Sequence, residues 1–307
     1  MFEPVNLEGR KILITGPSGQ VALPVVEQLA PCNDVYAIAR FSNPDDQQRI
    51  NALGATTKQV DLATDSFIDL PNDFDYVLNF AIVKSGDFDY DLQANAEGVG
   101  RLMLHCQSVR AFLHFSSTAV YQYAGHEPLA EDAALGDNHR SMFPTYSICK
   151  IAAESVVRFV ARQFNIPTTI ARLSVPYGDN GGWPYFHMLM MQNGVPIDIH
   201  PERPNVYNPL HSSDYLEKIP RLLAAATSDV TTLNFGGSQG VSVEEWCNYI
   251  AELTGFEASY KEDPKAFGSL QLDTTAMHAA IGETNMDWRL GIRAMLENLA
   301  PELLKAN

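Results

Sequence analysis

Short apolar runs alternate with longer segments of helical periodicity over the first half of the chain. The runs are rich in aliphatic and β-branched residues, which is typical of buried strands. They predict strands over residues 11–15, 34–39, 57–60, 75–80, 111–116 and 168–173. Apolar residues at helical spacing predict helices over residues 19–29, 44–53, 91–109 and 145–164. Strands alternating with helices in this way predict an α/β fold with a doubly wound parallel sheet.

A glycine turn follows the first predicted strand and opens the first predicted helix; it reads Gly16-Pro17-Ser18-Gly19-Gln20-Val21-Ala22. Gly16 permits a tight turn, and Gly19 lets the backbone approach a pyrophosphate whose charge is met by the helix N-terminus. Ala22 stands where a third glycine could be, and its methyl group still allows the helix to pack on the strand. The combination predicts dinucleotide binding by a Rossmann-type sheet, with an ordinary turn as the alternative.

The end of the second predicted strand bears on the type of dinucleotide. An acidic residue there would bind the ribose hydroxyls of NAD, whereas an arginine can accept the phosphate of NADP. The chain offers Arg40 and no acid until Asp45. This favours NADP(H) over NAD(H), the alternative being that Arg40 is a solvated charge. Asp61, after the third strand, is expected near the adenine, and Phe80 and Ala81 follow the fourth strand at the ligand-binding edge.

A tyrosine and a lysine stand four positions apart in a predicted helix, downstream of a serine that ends the fifth strand. Residues at this spacing share a helix face, so the Lys150 ammonium is expected near the Tyr146 phenol, where it would lower the pKa of the phenol. Tyr146 would then exchange a proton with an alcohol oxygen, and Ser117 would hold that oxygen. A solvated tyrosine beside a solvated lysine is the alternative that the spacing alone leaves open.

The sequence resembles the extended branch of the short-chain dehydrogenase/reductase family, which is NAD(P)-dependent and epimerase/dehydratase-like. This branch holds sugar-nucleotide epimerases and dehydratases, hydroxysteroid dehydrogenases and plant-type carbonyl reductases. The matching runs occur in the family's order and are Thr15-Gly16-Pro17-Ser18-Gly19-Gln20-Val21-Ala22, Val60-Asp61-Leu62, Asn95-Ala96-Glu97-Gly98, Phe115-Ser116-Ser117-Thr118-Ala119-Val120-Tyr121, Tyr146-Ser147-Ile148-Cys149-Lys150 and Arg172-Leu173-Ser174-Val175-Pro176-Tyr177-Gly178.

The resemblance implies roles for several residues. Ser117 and Tyr146 would be catalytic, and Lys150 would act as the partner of Tyr146 and as a ribose ligand. Spacing and resemblance together predict cofactor contacts at Gly16, Ser18, Gly19, Gln20, Val21, Arg40, Asp61, Leu62, Phe80, Ala81, Asn95, Lys150, Val175 and Tyr177. The resemblance also implies a homodimer formed by the helices at 91–109 and 145–164, against the alternative of a monomer that buries them.

The expected domain organisation is a Rossmann domain and a smaller lobe. Residues 1–175, completed by about 211–240, are expected to form the dinucleotide-binding domain. Residues 176–210 and 241–307 are expected to form a mixed substrate-binding lobe. The polar, glycine-containing stretch from Tyr123 to Phe143 predicts a long loop that covers the substrate.

The substrate is the least determined part of the prediction. Sugar-nucleotide members of the family commonly carry an Asn where this chain has Val175, and an Arg where it has Tyr207; Arg203 is a possible substitute. The stretch from Trp183 to Met191 would suit an apolar substrate, with a core helix as the alternative. Sugar dehydratases typically carry an Asp-Glu pair after the catalytic hydroxyl, whereas this chain has Thr118-Ala119, which argues against dehydration.

The predicted function is therefore that of an NAD(P)-dependent oxidoreductase that transfers hydride between NADP(H) and a carbonyl or alcohol substrate. The runner-up is an NAD-dependent nucleotide-sugar epimerase, which needs only the same serine, tyrosine and lysine. A non-catalytic dinucleotide-binding sensor is a third reading, and the complete set of catalytic residues argues against it.

Composition excludes several other classes. The net charge of -16, without a basic patch, argues against nucleic-acid binding. No apolar stretch of about 18 residues or leader-like segment stands out, which predicts a cytoplasmic protein without a membrane span. The four cysteines are scattered and read as reduced thiols, and no metal site is predicted. His187, His200 and His211 lack ligand spacing and are expected to be structural.

Overall fold

The computed structural model describes residues 1–305; residues 306 and 307, the end of the predicted substrate lobe, lie outside the described residues. The strands in chain order are β1 (Lys11–Thr15), β2 (Asp34–Ala39), β3 (Thr56–Gln59), β4 (Tyr76–Asn79), β5 (Ala111–Ser117), β6 (Thr168–Leu173), β7 (Pro176–Gly178), β8 (Gly181–Gly182), β9 (Ile197–Ile199), β10 (Val206–Tyr207), β11 (Leu210–His211), β12 (Thr231–Phe235), β13 (Val241–Ser242) and β14 (Tyr260–Glu262).

The α-helices are α1 (Ala22–Leu29), α2 (Pro44–Ala52), α3 (Phe88–Leu92), α4 (Gly98–His105), α5 (Tyr146–Phe164), α6 (Trp183–Gln192), α7 (Ser212–Ala224), α8 (Val243–Thr254), α9 (Thr275–Ile281) and α10 (Trp288–Leu299). Short 3₁₀ turns cover Ala30–Cys32, Thr118–Val120 and Pro301–Leu303, and a π-helical turn covers Gln93–Glu97. None of the helices within residues 1–305 combines the length and the hydropathy needed to cross a bilayer.

Seven strands form the central sheet in the order β12-β6-β5-β4-β1-β2-β3, and all of its pairings are parallel. The strand order reverses between β1 and β4, so the carboxyl ends of these strands open a crevice of the kind that binds dinucleotides. The predicted α/β fold with a Rossmann-type doubly wound sheet is confirmed. The six predicted strands lie within one residue of their observed bounds. The seventh strand, β12, was not predicted as a strand; it lies in the stretch of about 211–240 that was expected to complete the dinucleotide-binding domain.

Apolar residues form three cores. One, which includes Ile12 and Ile14, lies between the sheet and helices α1, α7 and α9. A second, which includes Leu13, lies on the opposite face under α4 and α5, because successive side chains of a strand point to opposite faces. The third joins α6, α8 and α10 around the fully buried Trp246. The third core gives the C-terminal part of the chain its own packed interior beside the sheet.

The predicted helix over residues 91–109 is interrupted. A π-helical turn, Gln93–Glu97, separates α3 from α4. The interruption lies beside Gly98, where a Cβ atom would be 2.3 Å from the carbonyl oxygen of Leu62. A side chain at this position would therefore clash, and the glycine lets the helix approach the loop after β3. π-Helical turns occur frequently at functional sites, and this one contains Asn95.

Candidate active site

The catalytic residues predicted from the sequence converge at the carboxyl end of the sheet. Ser117 is the last residue of β5, and Tyr146 and Lys150 occupy the first two turns of α5, which packs beside it. The Lys150 ammonium donates a hydrogen bond of 2.7 Å to the backbone oxygen of Phe115 on the same strand. The Ser117 hydroxyl lies close enough to the Tyr146 phenol to lower the pKa of the phenol, and it accepts a 3.1 Å hydrogen bond from the N–H of Ala119. One strand end and one helix start thus hold all three side chains together.

Burial raises the pKa of the Tyr146 phenol above its ordinary value, and the Ser117 hydroxyl opposes this effect. The Lys150 ammonium is held by the Phe115 carbonyl. That Lys150 lowers the pKa of the phenol stays a prediction. Burial also lowers the pKa of Lys150 to about 8, while Glu154 opposes the shift and Lys84 adds to it.

A buried ion pair supports the site from behind. Both carboxylate oxygens of Glu154 on α5 accept from the Arg172 guanidinium on β6, at 2.8 and 2.9 Å. Glu154 also accepts a 2.6 Å hydrogen bond from the Ser116 hydroxyl, and Arg172 donates to the Tyr121 phenol at 3.0 Å. A buried ion pair stabilises the fold only when hydrogen bonds satisfy the polar atoms of both side chains, as these bonds do for Glu154 and Arg172. It fixes α5 against β5 and β6, and so fixes Tyr146 relative to Ser117.

The glycine turn after β1 has the geometry of a pyrophosphate site. Gly16 has a φ angle of +64°, and a Cβ atom there would lie 3.0 Å from the Cα atom of Ala81. Ser18 and Gly19 are exposed at the opening, and Val21 precedes α1. The first turn of α1 has no acidic residue and no side-chain cap, so its N–H groups face the opening free of a competing carboxylate. These features fit the phosphates of a nicotinamide dinucleotide.

The segment after β6 contacts this turn. The amide nitrogen of Gln20 donates hydrogen bonds to the backbone oxygens of Pro176 at 2.9 Å and Gly181 at 3.2 Å. Val175 has a φ angle of +32°, a strained conformation for a β-branched residue, of a kind that is often found at functional sites. Tyr177, in contrast, is 1% exposed and packs in the C-terminal core, with its phenol 3.4 Å from the backbone oxygen of Trp288. The structure therefore does not place the Tyr177 side chain in the cofactor cleft.

Arg40 lies among acidic groups. It lines a cavity of about 460 Å³ with Asp61 and Asp65. Its guanidinium donates a 3.1 Å hydrogen bond to the Tyr90 phenol, which in turn donates to the Asp61 carboxylate at 2.7 Å. Arg40 and Asp61 thus line the same cavity and are linked through Tyr90. Two carboxylates beside the arginine offset the positive charge that a 2′-phosphate would require.

Four further predicted cofactor residues have different surroundings. Phe80 stacks on Phe115 with ring centroids 4.0 Å apart, and the backbone N–H of Ala81 donates to the Thr15 hydroxyl at 2.9 Å. Both residues are half-buried at the end of β4. Leu62 is 9% exposed and belongs to the core under α4 and α5. Asn95 is 4% exposed, and its amide binds the backbone of Val83, so it supports the cleft loop from beneath.

Sequence reasoning missed two groups beside Tyr146. Lys84, in the loop after β4, places its ammonium 5.6 Å from the centroid of the Tyr146 ring. Asp91 is fully buried, and its carboxylate accepts a 2.6 Å hydrogen bond from the hydroxyl of Thr145, the residue before Tyr146. The available signals were an acid among residues of helical pattern and a lysine just beyond a strand at the ligand-binding edge. Neither signal belongs to a motif.

The loop predicted to cover the substrate lies beside the catalytic residues. His139 stacks on Phe267 at 4.0 Å between centroids and lies 5.8 Å from the Tyr146 ring. A cavity of about 540 Å³ lies between this loop and the C-terminal part of the chain, and its lining includes Arg140 and Lys265.

Arg203 and Tyr207, which bear on sugar-nucleotide binding, are engaged elsewhere. Arg203 pairs with Glu262 at 3.3 Å. The guanidinium suggested as a substitute for the family's arginine is therefore directed at a carboxylate of the protein. Tyr207 is 2% exposed and donates to the backbone oxygens of Phe267 and Gly268, at 3.0 and 2.7 Å.

The histidines and the apolar stripe are structural. The Nδ1 atom of His187 accepts a 2.9 Å hydrogen bond from the Trp246 indole, and burial lowers the pKa of His187 to about 4. His200 and His211 bind nearby backbone N–H groups. Met188 and Met191 of α6 are buried in the C-terminal core. The stretch from Trp183 to Met191 is thus a helix that packs in the core, which was the alternative to a substrate-binding role. No cluster of potential metal ligands occurs in residues 1–305, and all four cysteines are unpaired.

Comparison with known proteins agrees with this geometry. The sequence model of the NAD dependent epimerase/dehydratase family matches residues 12–234. A trifunctional UDP-glucose 4,6-dehydratase/UDP-4-keto-6-deoxy-D-glucose 3,5-epimerase/UDP-4-keto-L-rhamnose-reductase of Arabidopsis thaliana is 26% identical over 273 residues, which are 81% of this chain and 40% of that protein. The chain therefore spans about two fifths of the length of this curated relative.

Solved structures share the fold at low sequence identity. UDP-glucuronic acid 4-epimerase from Bacillus cereus, in complex with UDP-glucuronic acid and NAD, superposes with a TM-score of 0.80 at 18% identity, covering 95% of this chain and 99% of that one. UDP-glucose 4-epimerase from Thermotoga maritima, with UDP-glucose, gives 0.79 at 19% identity, covering 95% and 99%. The family model covers well over half of the sequence. The chain therefore belongs to the NAD dependent epimerase/dehydratase family, a family of enzymes in the extended branch of the short-chain dehydrogenases/reductases.

Proposed function

We propose that the protein is an NAD-dependent nucleotide-sugar epimerase, with Ser117, Tyr146 and Lys150 as its catalytic residues. The observation that carries the proposal is the convergence of these residues beside a glycine turn suited to a pyrophosphate. The similarity of the fold to a UDP-glucuronic acid 4-epimerase described in complex with UDP-glucuronic acid and NAD supports the choice within the family. This corresponds to the runner-up of the sequence analysis rather than to its main reading.

The chemistry requires a proton and a hydride to leave the substrate in the oxidative half of one cycle and to return to it in the reductive half. The nicotinamide supplies a site that accepts a hydride from carbon and later returns it. Tyr146 accepts the hydroxyl proton as the carbon is oxidised and donates a proton back to the oxygen when the carbon is reduced. Ser117 holds the reacting oxygen beside the phenol, and Lys150 binds the cofactor ribose and adds positive charge to the cleft. No external oxidant or reductant is consumed.

We propose NAD rather than NADP as the cofactor. The guanidinium of Arg40 is bound to Tyr90, and Asp61 and Asp65 line the same cavity. A 2′-phosphate beside these carboxylates would be repelled, whereas ribose hydroxyls can donate hydrogen bonds to them. This differs from the preference for NADP(H) drawn from the sequence, which considered Arg40 without its acidic neighbours.

The C-terminal core defines the substrate-binding lobe in this proposal. Residues 1–175, completed by about 211–240, carry the central sheet and would bind the cofactor. Residues 176–210 and 241–305 carry the third core and would close the cleft over the sugar nucleotide. Arg140 and Lys265, at the cavity of about 540 Å³, are the cations available to meet a diphosphate.

A net oxidoreductase is the second candidate, and one observation favours it. Val175 and Tyr207 stand where sugar-nucleotide enzymes of the family commonly have Asn and Arg, and Arg203 is directed at Glu262. A substrate without a diphosphate would not need those groups. The same catalytic residues would then reduce a carbonyl or oxidise an alcohol with net consumption of the cofactor.

The two candidates are separated by following sugar and cofactor together. The purified protein is incubated with NAD and with UDP-glucose or UDP-glucuronic acid, the product is analysed by NMR, and the absorbance of reduced nicotinamide is recorded. An epimerase converts the sugar with no net accumulation of NADH. Stoichiometric NADH or NADPH turnover on an alcohol or aldehyde, without conversion of either nucleotide sugar, would support the oxidoreductase instead.

A further inference from the structure

The side chain of Gln20 joins the glycine turn to the hairpin formed by β7 and β8. Its amide nitrogen donates hydrogen bonds to the backbone oxygens of Pro176 at 2.9 Å and of Gly181 at 3.2 Å. These two residues lie on opposite strands of the antiparallel hairpin. One side chain of the turn therefore binds both strands of a segment that is remote from it in sequence.

The hairpin in turn binds the backbone of Gln20. The side-chain amide of Asn180, in the loop between β7 and β8, donates a 2.6 Å hydrogen bond to the backbone oxygen of Gln20. Both residues are only partly exposed, and hydrogen bonds are stronger where water is partly excluded. The three bonds together hold the turn and the hairpin in one arrangement.

The hairpin is also held from its other side. β7 pairs with β11, with Tyr177 opposite His211. Tyr177 is 1% exposed and packs in the C-terminal core. The hairpin is thereby anchored to the C-terminal part of the chain, and Gln20 connects this anchored segment to the glycine turn.

The segment that leads into the hairpin lies beside the proposed catalytic residues. Leu173, the last residue of β6, pairs with Ser117 at the end of β5, and Val175 follows two residues later. The ring that exchanges hydride must lie next to the carbon whose oxygen is held by Ser117 and Tyr146. In the proposed function, the segment from Val175 onward therefore borders the nicotinamide end of the cofactor, whereas the glycine turn receives its pyrophosphate.

The N–H groups of the Gln20 side chain are engaged by the protein rather than open to a ligand. A primary amide has two N–H donors. Both are directed at backbone oxygens, those of Pro176 and Gly181, so neither is left for a phosphate. The effect of these donors on NAD is therefore indirect, through the segment that they hold.

We propose that Gln20 is a positioning residue, which fixes the pyrophosphate-binding turn relative to the segment from Val175 onward and so holds the nicotinamide ring of NAD beside Tyr146. The inference rests on the proposed epimerase function, in which this ring accepts a hydride and returns it. A misplacement of about 1 Å can slow a reaction by about a hundredfold, so the placement of the ring matters for both transfers. Gln20 acts on them without touching the reacting atoms.

The test compares two ligands that share the adenosine, the pyrophosphate and the second ribose, and of which only NAD carries the nicotinamide ring. Binding of NAD and of ADP-ribose to nucleotide-free protein is measured by isothermal titration calorimetry for wild type and Gln20→Met. Methionine keeps the length of the side chain and removes its N–H donors. We expect Gln20→Met to weaken binding of NAD by about tenfold and that of ADP-ribose by less than about twofold, because only NAD has a group that reaches the segment held by Gln20.

A second variant breaks the same connection from the hairpin. Asn180→Leu removes the hydrogen bond to the backbone of Gln20 and should likewise weaken binding of NAD more than that of ADP-ribose. At saturating NAD, both variants should lower kcat by about tenfold or more for the nucleotide sugar that wild type converts, with the KM of the sugar within about twofold. A residue with a purely structural role would separate neither the two ligands nor kcat from KM.

A surface glutamine provides the matched control. The Gln107 amide donates to the backbone oxygen of Leu104 at 2.9 Å on the exposed surface after α4, and Gln107→Met should change neither affinity. Equal weakening of both ligands by Gln20→Met, or no weakening of either, would overturn the inference and leave the epimerase proposal intact. Wild-type protein that binds neither NAD nor ADP-ribose would overturn the proposed function, and the inference with it.

Discussion

At the scale of single residues, the site depends on how burial and hydrogen bonds set the charge of each group. Burial raises the pKa of Tyr146 and lowers that of Lys150 to about 8, and both shifts favour the neutral forms. The hydrogen bond from Lys150 to the Phe115 carbonyl holds the ammonium in place, and the Ser117 hydroxyl lies close enough to the phenol to lower its pKa. The residues are therefore positioned for proton exchange, while positive charge in the cleft comes from the two lysines together.

Replacing the phenol tests this arrangement directly. Tyr146→Phe removes the proton donor and acceptor but leaves the ring in place, so activity should fall by orders of magnitude while NAD binding is retained. Steady-state kinetics and NAD titration measure the two effects. Tyr249→Phe, which changes a tyrosine that packs on Trp288 in the C-terminal core, is the control and should retain activity. Turnover that survives Tyr146→Phe would remove the phenol from the mechanism.

His187 predicts a dependence of stability on pH. An unfolded histidine binds a proton as pH falls through about 6.5, whereas burial lowers the pKa of folded His187 to about 4. The unfolded state therefore binds more protons between these values, so the stability that His187 contributes is present above about pH 6.5 and lost toward pH 4. The difference corresponds to about 3 kcal/mol. His187→Gln, which keeps an acceptor for Trp246, should flatten this part of the urea-unfolding profile.

The control for this measurement is His200→Gln, because His200 is only partly buried. It should leave the pH profile of the unfolding free energy almost unchanged. An identical acid-induced loss of stability in wild type and His187→Gln would show that other groups dominate it.

Motifs identified the proposed catalytic residues but not the residues that position them. Ser117, Tyr146 and Lys150 are recognisable because their chemistry demands those residue types at set places on a strand and a helix. Asp91 and Lys84 act through contacts between segments that are remote in sequence, and Lys84 is supported by backbone bonds to Asn95 and Asp91. A sequence shows the residue types at these positions, but not that the loop after β4 folds back onto the start of α5.

At the scale of elements, the same limit appears in the helix predicted over residues 91–109. Its periodicity is helical throughout, so the sequence predicts one helix. The π-helical turn Gln93–Glu97 arises where Gly98 meets the carbonyl of Leu62, a contact with the loop after β3 that local periodicity does not encode. The central strands β1, β4, β5 and β6, in contrast, were predicted almost to the residue, because burial on both faces imposes continuous apolar runs.

The glycine turn allows an element-scale prediction with a matched control. Gly16 and Gly9 have nearly the same φ angles, +64° and +66°. A methyl group at Gly16 would lie 3.0 Å from the Cα atom of Ala81, whereas one at Gly9 would meet nothing within 4 Å. Both Ala variants carry similar backbone strain, so only Gly16→Ala should also displace the turn from β4. We expect Gly16→Ala to weaken NAD binding at least about tenfold more than Gly9→Ala does.

Calorimetric titration of NAD into both variants checks this prediction, with thermal unfolding as a record of folding. Equal NAD affinities in the two variants would mean that close approach of Gly16 to Ala81 is not required for binding.

At the scale of the whole molecule, buried polar links join the sheet to the helices that carry the site. Glu154→Gln would leave the Arg172 guanidinium, 3% exposed, without a full counter-charge. Breaking one partner of a buried pair costs about 3–5 kcal/mol, so the free energy of unfolding should fall by about that amount. Glu297→Gln, in an exposed pair 3.7 Å from Arg293, should cost less than about 1 kcal/mol. Similar urea midpoints for the two variants would argue against a structural role for the buried pair.

Assembly is the remaining question at this scale, and the exposed face of α5 bears on the expected homodimer. Phe159 is 67% exposed and Ile148 is 37% exposed on this helix, at positions three helical turns apart. Exposed apolar side chains along one face of a surface helix are typical of a protein interface, and a two-fold pair of such helices would cover them. Phe159→Glu would place two carboxylates at that interface and should convert a dimer to a monomer in light scattering. Phe186→Glu, on α6 and 60% exposed, should leave the mass unchanged, and a monomeric wild type would refute the dimer.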